Sequence, residues 1–270
     1  MALEALVFDV DGTIVDTEEL HRRAFNQAFL EFELGWDWAP EVYARLLRIS
    51  GGDDRIVHHI GGLPISDLEK LRLRRLVPGL HREKTRIYGE LVARNMVKPR
   101  PGIARLIREA RAAGLKIGLA ATSASANVQP LIGASFTRET ASAIDAVVSA
   151  DLVSNRKPAP DIYLLLLSML GVPPEHCVAF EDSANGVAAA QAAGMVTIAT
   201  PSRWTQSQDF SHADLKLGSL GEPDQPLAQA DSVAVGGVAC VGLDQLRAVL
   251  EFHGTSGKRA ALQNKRLTPR

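Results

Sequence analysis

The feature that most constrains the fold is a short apolar run near the start of the chain that ends in two aspartates. Ala5 to Phe8 is uniformly apolar, which favours a strand buried on both faces of a parallel sheet. Asp9 and Asp11 follow where the strand must end, and alternation along a strand points both carboxylates the same way. Gly12 then offers backbone angles that other residues resist. Ligands of open α/β sheets bind at this edge, so the pattern predicts a site here.

The paired carboxylates indicate a cation. Two anions held at one place repel each other unless a positive charge lies between them. Mg²⁺ fits, because it prefers carboxylate and carbonyl oxygens in octahedral geometry and keeps some of its waters. A plain turn at the end of the strand is the alternative, since Asp and Gly are common turn residues. The motif alone leaves both interpretations open, and the rest of the chain decides between them.

Composition narrows the class of protein. The 270 residues are enough for one or two domains with a sizeable core. The formal net charge of -1 gives no argument for nucleic acid or an acidic membrane as partner. No apolar run is long enough to span a bilayer, and Cys177 and Cys240 offer no disulfide framework. We therefore expect a soluble monomer with no nucleic-acid or membrane partner, in the cytoplasm or, after processing, an organelle stroma.

After the first strand the chain predicts an all-helical insertion. Apolar residues recur at helical spacing, and no convincing strand interrupts the stretch. We expect helices over Asp16 to Phe32, Glu41 to Ile49, Arg55 to Ile60, Asp67 to Leu76 and Gly79 to Met96. Lys98 to Gly102, which contains two prolines, ends this region.

From Ile103 onward helices and strands alternate, which predicts a parallel sheet with helices on both faces. We expect strands at Leu115 to Ala121, Ala146 to Val148, Cys177 to Phe180 and Met195 to Ala199, with Asp214 to Leu217 as an edge strand. We expect helices at Ile103 to Ala113, Val128 to Gly133, Asp161 to Leu170, Gly186 to Ala193 and Leu243 to Phe252. The predicted domains are an α/β core (1–14 and 98–253), a helical cap (15–97) and a disordered, basic tail (254–270).

Polar residues follow three further strands of the predicted sheet. These are Thr122-Ser123, Lys157 and the pair Glu181-Asp182. Each has a plain explanation by itself, as a helix cap, a solvated surface residue or a turn. Their joint occurrence at one edge favours phosphoryl transfer through an aspartyl phosphate. That reaction needs a carboxylate nucleophile, a cation, donors for the phosphoryl oxygens and a second carboxylate to move protons.

These motifs resemble those of the haloacid dehalogenase superfamily of phosphatases. The resemblance rests on Phe8 to Thr13, Lys157-Pro158 and Glu181 to Ser183. Asp11 to His21 is similar to the subgroup that contains β-phosphoglucomutase and the CbbY-type sugar-bisphosphate phosphatases, and Glu18 to Asn26 favours the CbbY branch. The resemblance implies a Rossmann-like sheet core with a small helical cap that closes over the site.

The resemblance also implies roles for the strand-end residues. Asp9 would be the nucleophile and Asp11 the general acid/base, while Lys157 would neutralise the phosphoaspartate. Mg²⁺ would bind Asp9, Asp182 and the backbone carbonyl of Asp11, and Glu181 would orient Lys157 or join the metal shell. The second motif departs from the family, because alignment places Ala121 where many members carry a hydroxyl. We assign that hydroxyl to Thr122, with Ser123 next to it.

Three cap residues are candidates for substrate contacts. Thr17 and His21 lie one helical turn apart and can face one cleft, although His21 could also be an ordinary surface residue. Arg55 could bind a distal phosphate, but Asp53 stands where CbbY relatives commonly carry lysine.

The resemblance implies a Mg²⁺-dependent phosphatase of a small phosphosugar, such as xylulose-1,5-bisphosphate. The alternatives are a sugar phosphomutase with the same nucleophile and an inactive binding or regulatory member.

Overall fold

One parallel sheet organises the molecule. The computed structural model describes the backbone of residues 2–95 and 97–266 and the side chains up to 254. The strands of this part of the chain are β1 (Ala5–Asp9), β2 (Lys116–Ala121), β3 (Ala146–Ser149), β4 (Cys177–Glu181), β5 (Val196–Ala199) and β6 (Leu215–Lys216). They pair in the order β3-β2-β1-β4-β5-β6, and every pairing is parallel. The predicted α/β class is confirmed.

Helices cover the sheet and form the insertion after β1. Those before β2 are α1 (Glu18–Glu31), α2 (Pro40–Leu46), α3 (Gly52–Gly61), α4 (Asp67–Arg94) and α5 (Ile103–Ala112). Those after it are α6 (Ser125–Ser135), α7 (Arg138–Ser142), α8 (Asp161–Leu170), α9 (Ala184–Ala192), α10 (Gln229–Ala234) and α11 (Leu243–Arg266). The stretch α1 to α4 contains no strand among the described residues, which confirms an all-helical cap inserted after the first strand.

The register of the central strands places their carboxyl ends together. β1 lies between β2 and β4, and all of its residues are buried. Asp9 is in register with Ala120, and Phe8 is in register with Phe180, on whose ring it stacks at 4.7 Å. Because these strands are parallel, the residues that follow each of them meet at one edge of the sheet, below the cap.

A cluster of aromatic side chains holds the cap together. Phe25 and Phe29 of α1 contact Trp38, with ring centroids 4.7 Å and 4.8 Å apart, and all three are fully buried. Tyr43 of α2 lies beside Phe25 at 6.1 Å. Burial of a large aromatic stabilises a fold by roughly 2–3 kcal/mol, and this cluster is continuous with the apolar core of the sheet.

The structure differs from the sequence-based expectation in several elements. One helix, α4, replaces the two predicted over Asp67 to Leu76 and Gly79 to Met96, and it continues through Pro78. Val77 and Leu80 flank that proline and are buried in the cap, so tertiary packing outweighs the local cost of Pro78. The short helices α7 and α10 were not expected.

At the end of the chain α11 runs to Arg266, into the segment 254–270 that the sequence predicts to be disordered. Residues 258–266 are mostly good helix formers, which favours this continuation. Residues 267–270 of the predicted tail lie outside the described residues. No helix in the described part is long and apolar enough to cross a membrane.

Candidate active site

A buried lysine joins two of the strand-end carboxylates. The Lys157 ammonium donates to Asp9 Oδ1 at 2.6 Å and to Glu181 Oε1 at 2.7 Å, and it is 3% exposed. Tyr163 of α8 also donates its hydroxyl to Glu181 Oε1. Burial lowers the pKa of Lys157, but the charges of Asp9 and Glu181 raise it well above its usual range. Lys157 is therefore a fixed cation beside Asp9.

Three buried carboxylates share this place, and the ammonium of Lys157 contacts two of them. Ligand oxygens of Asp9, Glu181 and Asp182 lie within 4.8 Å of one another. Asp9 Oδ2 and Glu181 Oε2 are buried without a hydrogen-bond partner. Burial raises the pKa of Asp9 to about 7 although Lys157 lowers it, and burial, Asp9 and Glu18 raise that of Asp182. The unpartnered oxygens and the excess of negative charge fit a hard divalent cation.

Two glycines allow the backbone to approach these carboxylates. Gly12 has φ of +93°, and a Cβ there would overlap the carboxylate of Asp182. A Cβ at Gly186 would likewise overlap the carboxylate of Glu181. Asp182 Oδ2 also accepts a hydrogen bond from Thr205 Oγ1 at 3.1 Å, so the acid cluster is held from more than one direction.

Asp11 does not belong to this acid cluster. Its Oδ1 accepts hydrogen bonds from Thr17 Oγ1 at 2.6 Å and His21 Nε2 at 3.1 Å, and its Oδ2 accepts from Ser123 Oγ at 2.6 Å. Burial would raise the pKa of Asp11, but His21, Ser123 and Thr17 hold it well below its usual range. The carboxylate of Asp11 is therefore ionised and turned towards the cap.

Asp9 and Asp11 line one small cavity, as expected of carboxylates that point the same way, but they have different hydrogen-bond partners. β1 ends at Asp9, and Asp11 lies in a tight turn in which Gly12 donates its N–H to Val15 O at 2.7 Å. The two-residue period of a strand does not extend into such a turn, so the carboxylates have different partners. The predicted metal ligand in Asp11 is its backbone carbonyl, and this prediction does not depend on the partners of its side chain.

Lys84 is a site residue that the sequence reasoning missed. Its ammonium lies 2.7 Å from His21 Nδ1, it is buried, and burial lowers its pKa to about 8. An ammonium can only donate, so His21 Nδ1 accepts and Nε2 carries the proton that is donated to Asp11. The sequence contains one pattern that could have identified Lys84. It lies four residues from both Leu80 and Tyr88, and therefore on the apolar face of α4.

The hydroxyl residues after β2 lie where the sequence predicted. Thr122 lines a small cavity together with Asp9, Lys157 and Asp182. Ala121, the alternative in that motif, is the last residue of β2 and is buried in the apolar core. Ser123 contacts Asp11, so it lies on the cap side of Thr122.

Arg55 faces a second cavity, of about 190 Å³, between cap and core. Its Nε donates to Ile49 O at 2.8 Å, and its guanidinium lies 3.4 Å from the hydroxyl of Tyr43. Lys84 and Arg156 line the same cavity. Cations from cap and core therefore border this space together with carboxylates, which are Asp11, Glu18, Asp53 and Asp151.

Asp53, where a lysine was expected, forms an ion pair with the core. Arg156 Nη2 donates to Asp53 Oδ2 at 3.0 Å, and Arg156 also contacts Asp54. Arg156 directly precedes Lys157, so the pair connects α3 of the cap to the loop that supplies the buried lysine.

The site therefore combines a buried acid cluster that suits a divalent cation with an adjoining cavity, lined by both acids and cations, between cap and core. A model of the haloacid dehalogenase-like hydrolases matches residues 3–194, so the chain belongs to this family. It is an enzyme, and specifically a phosphatase of the haloacid dehalogenase type.

Individual relatives agree with this assignment. The chain is 44% identical over 223 residues to Protein CbbY of Rhodobacter capsulatus, covering 82% of this chain and 95% of that one. It is similar to the structure of a CbbY mutant from Rhodobacter sphaeroides in complex with xylulose-(1,5)bisphosphate, with 40% identity, a TM-score of 0.72 and coverage of 80% and 94%. A β-phosphoglucomutase from Clostridium difficile is 26% identical, with a TM-score of 0.63 and coverage of 81% and 92%. The predicted resemblance to this subgroup is confirmed.

Proposed function

We propose that the protein is a Mg²⁺-dependent phosphatase of a small sugar bisphosphate, with xylulose-1,5-bisphosphate as the first candidate. The observation that carries the proposal is Arg55, which has no carboxylate partner among the described residues and lines both the small cavity of Asp9 and the larger cavity that adjoins it. Such a cavity suits a substrate with one phosphate at Asp9 and an anionic group further away. The similarity to a CbbY that binds xylulose-(1,5)bisphosphate supports the same substrate class.

In this proposal Asp9 attacks phosphorus. A bond forms between the Asp9 carboxylate and phosphorus, and the bond from phosphorus to the sugar oxygen breaks, while Asp11 gives that oxygen a proton. Lys157 offsets charge on the phosphoaspartate, and the hydroxyl of Thr122 donates to a phosphoryl oxygen, while that of Ser123 donates to Asp11. When bound, Mg²⁺ would be held by Asp9, Asp182 and the carbonyl of Asp11, with Glu181 beside them, and would supply further charge neutralisation.

Hydrolysis of the phosphoaspartate restores the enzyme. Asp11 accepts a proton from water, the water oxygen attacks phosphorus, and the bond to Asp9 breaks to release inorganic phosphate. Hydrogen bonds from Thr17, His21, Ser123 and Tyr88 stabilise ionised Asp11, which suits this second step. If these hydrogen bonds were broken, the pKa of Asp11 would rise. Asp11 could then carry the proton that it must donate in the first step.

A screen across phosphosugars tests the proposal. Phosphate release should be fastest with a pentulose bisphosphate and should disappear in EDTA. Equal rates with monophosphates and bisphosphates would contradict the assigned substrate class. No phosphate release from any phosphosugar, together with tight binding, would instead favour an inactive binding member.

The similarity to β-phosphoglucomutase keeps a sugar phosphomutase as the second candidate. A mutase returns the phosphoryl group to a different oxygen of the sugar instead of to water. Phosphorus NMR of the reaction mixture separates the two, because an isomeric sugar phosphate accumulates in one case and inorganic phosphate in the other.

A further inference from the structure

Arg100 is a partly buried cation that the proposed mechanism does not use. It lies where the chain returns from the cap to the core, and its backbone N–H donates to Ile14 O at 2.7 Å, beside the point where the chain leaves the core. In the described part of the chain, its guanidinium donates only to backbone carbonyls and to the hydroxyl of Thr200. Arginine in the interior commonly pairs with a carboxylate, so these acceptors indicate a different role.

The guanidinium of Arg100 joins three segments of the core. Its Nη1 donates to Gly12 O in the turn after β1 and to Thr200 O in the loop after β5 (200–205), each at 2.6 Å. Its Nη2 donates to Pro201 O of that loop and to Gly218 O after β6, each at 3.1 Å. A charged donor makes stronger hydrogen bonds than a neutral one, and the planar guanidinium fixes their directions. One side chain therefore holds the turn after β1 against the loop after β5.

The carboxylate of Asp182 lies between these two segments. A Cβ at Gly12 would overlap it, so the backbone of the turn after β1 packs directly on this carboxylate. From the loop after β5, Thr205 Oγ1 and Ser202 Oγ donate to Asp182 Oδ2 at 3.1 Å and 3.4 Å. Arg100 connects the two walls that enclose Asp182, although it does not contact Asp182 itself.

Asp182 needs such support because its neighbours repel it. Ligand oxygens of Asp9, Glu181 and Asp182 lie within 4.8 Å of one another, and like charges at this distance push apart. Groups that hold a carboxylate ligand in place through hydrogen bonds typically change metal affinity by 10- to 100-fold when they are removed.

We propose that Arg100 is a positioning residue of the metal site, which clamps the turn after β1 to the loop after β5 and so holds Asp182 where it can bind a divalent cation together with Asp9. This inference rests on the metal dependence of the proposed function. The charge of Arg100 acts in the opposite direction, because a cation near Asp182 repels a second cation. Burial raises the pKa of Asp182 and Arg100 lowers it, which shows that the two groups interact across this distance.

Calorimetric titration with Mg²⁺ alone, without substrate, separates position from charge. The readout is the Kd for Mg²⁺, and any misfolded protein lowers the stoichiometry instead of changing the Kd. Arg100→Met should weaken binding by about 10- to 100-fold. Arg100→Lys keeps the charge and loses the planar set of donors, so it should also weaken binding. Tighter binding by Arg100→Met with no change in Arg100→Lys would mean that only the charge matters, and would overturn the proposal.

The matched control is Arg105→Met. Arg105 Nη2 also donates to backbone carbonyls, those of Leu220, Gly221 and Val241, but Arg105 contacts neither the turn after β1 nor the loop after β5. This variant should lose stability and keep the wild-type Kd for Mg²⁺. If Arg100→Met does the same, Arg100 serves the fold alone and the proposal is wrong.

A second variant tests the loop without changing Arg100. Thr205→Val removes a donor to Asp182 and should also weaken Mg²⁺ binding. Because Thr205 and Arg100 act through one loop, Thr205→Val combined with Arg100→Lys should weaken binding by less than the product of the single effects. An unchanged Kd in Thr205→Val would show that the loop does not position Asp182, even if the Arg100 variants fail to fold.

The two proposals fail in different ways. If the wild-type protein binds Mg²⁺ and Arg100→Met binds it equally well, the role of Arg100 is wrong, while the Mg²⁺-dependent phosphatase stands. If the wild-type protein binds no Mg²⁺ and releases phosphate in EDTA, the proposed metal dependence is wrong, and the role of Arg100 is overturned with it.

Discussion

At the scale of single residues, the buried carboxylates of the site outnumber the cations that contact them. Lys157 is shared by Asp9 and Glu181, and Asp9 keeps one oxygen without a partner. This carboxylate oxygen has no partner and lies beside a fixed ammonium. It is therefore suited to attack an electrophile whose negative charge is neutralised by a cation bound with it.

The first prediction concerns this nucleophile. Asp9→Asn should abolish turnover and leave the fold intact, because an amide is a poor nucleophile and removes one charge from the metal-binding cluster. Steady-state phosphate release and circular dichroism would measure the two effects. Asp16→Asn, at an exposed position nearby, is the matched control and should retain activity. Activity of the pure Asp9→Asn protein near the wild-type level would exclude the covalent mechanism.

The second prediction concerns Lys84. Its pKa is about 8 in the folded state against 10.5 for an exposed lysine, because burial penalises its charge. The unfolded state therefore binds more protons between these values, and stability rises with pH across this window. Lys84→Met removes the penalty, so at about pH 7 the variant should gain up to about 3 kcal/mol in the free energy of unfolding, and less at about pH 9.5.

Urea unfolding at both pH values measures this gain. Lys70→Met is the control, since Lys70 lies on the same helix with its ammonium at the surface, donating to Gly61 O at 3.0 Å. A stability difference between Lys84→Met and wild type that does not change with pH would contradict the assigned burial penalty. A loss of activity in Lys84→Met would be separate from this measurement, because Lys84 also orients His21.

At the scale of the elements, the ends of β1 and β4 bring the acid cluster together, and the loop after β3 adds Lys157. The sequence predicted Asp9, Lys157, Glu181 and Asp182 as one group because each follows a strand of a parallel sheet, and the topology of such sheets places those positions at one edge. The hydrogen-bond partners of Asp11 were not predictable in this way, since they depend on the turn after β1. Lys84 was missed because its partner comes from an element distant in the chain, and hydrophobic periodicity records only that a position is buried.

The third prediction concerns the metal at these strand ends. Activity should require Mg²⁺ and be lost in EDTA, and Ca²⁺ should inhibit because it takes more oxygens at longer distances. Mg²⁺ should also raise the free energy of unfolding, by about 3 kcal/mol at a hundredfold excess over its Kd, because it relieves repulsion between the carboxylates. Asp182→Asn should reduce this stabilisation. Full turnover in EDTA would count decisively against a metal-dependent reaction.

The fourth prediction concerns Arg55 of α3, which has no carboxylate partner in the described part of the chain. If it binds the distal phosphate, Arg55→Ala should lower kcat/KM for a bisphosphate by about 2 kcal/mol, the scale of a charged hydrogen bond. p-Nitrophenyl phosphate has no distal phosphate and should lose far less. Arg45→Ala, exposed on α2, is the control. Equal losses with both substrates would mean that Arg55 supports cap closure instead of binding the substrate.

At the scale of the whole molecule, the cap and the core share an apolar cluster, in which Tyr43 packs on Trp204 at 5.7 Å, and polar contacts cross between them around the site. Asn185 of α9 donates to Arg48 O of the cap at 2.9 Å, and Arg156 pairs with Asp53 and Asp54. Contacts of this kind stabilise closure weakly and can be broken in each cycle.

The ion pair between Arg156 and Asp53 provides the last prediction. Both side chains are about one-third exposed, so their coupling should be worth only about 0.5–1 kcal/mol and should weaken as salt screens it. Asp53→Asn should therefore raise KM for a bisphosphate by a few-fold at low ionic strength, because the closed cap is less populated, and by little at about 1 M salt. Asp53→Arg alone should have a larger effect, and Asp53→Arg with Arg156→Asp should recover part of it. A double variant no better than the sum of its two single variants would mean that this ion pair does not hold the cap closed.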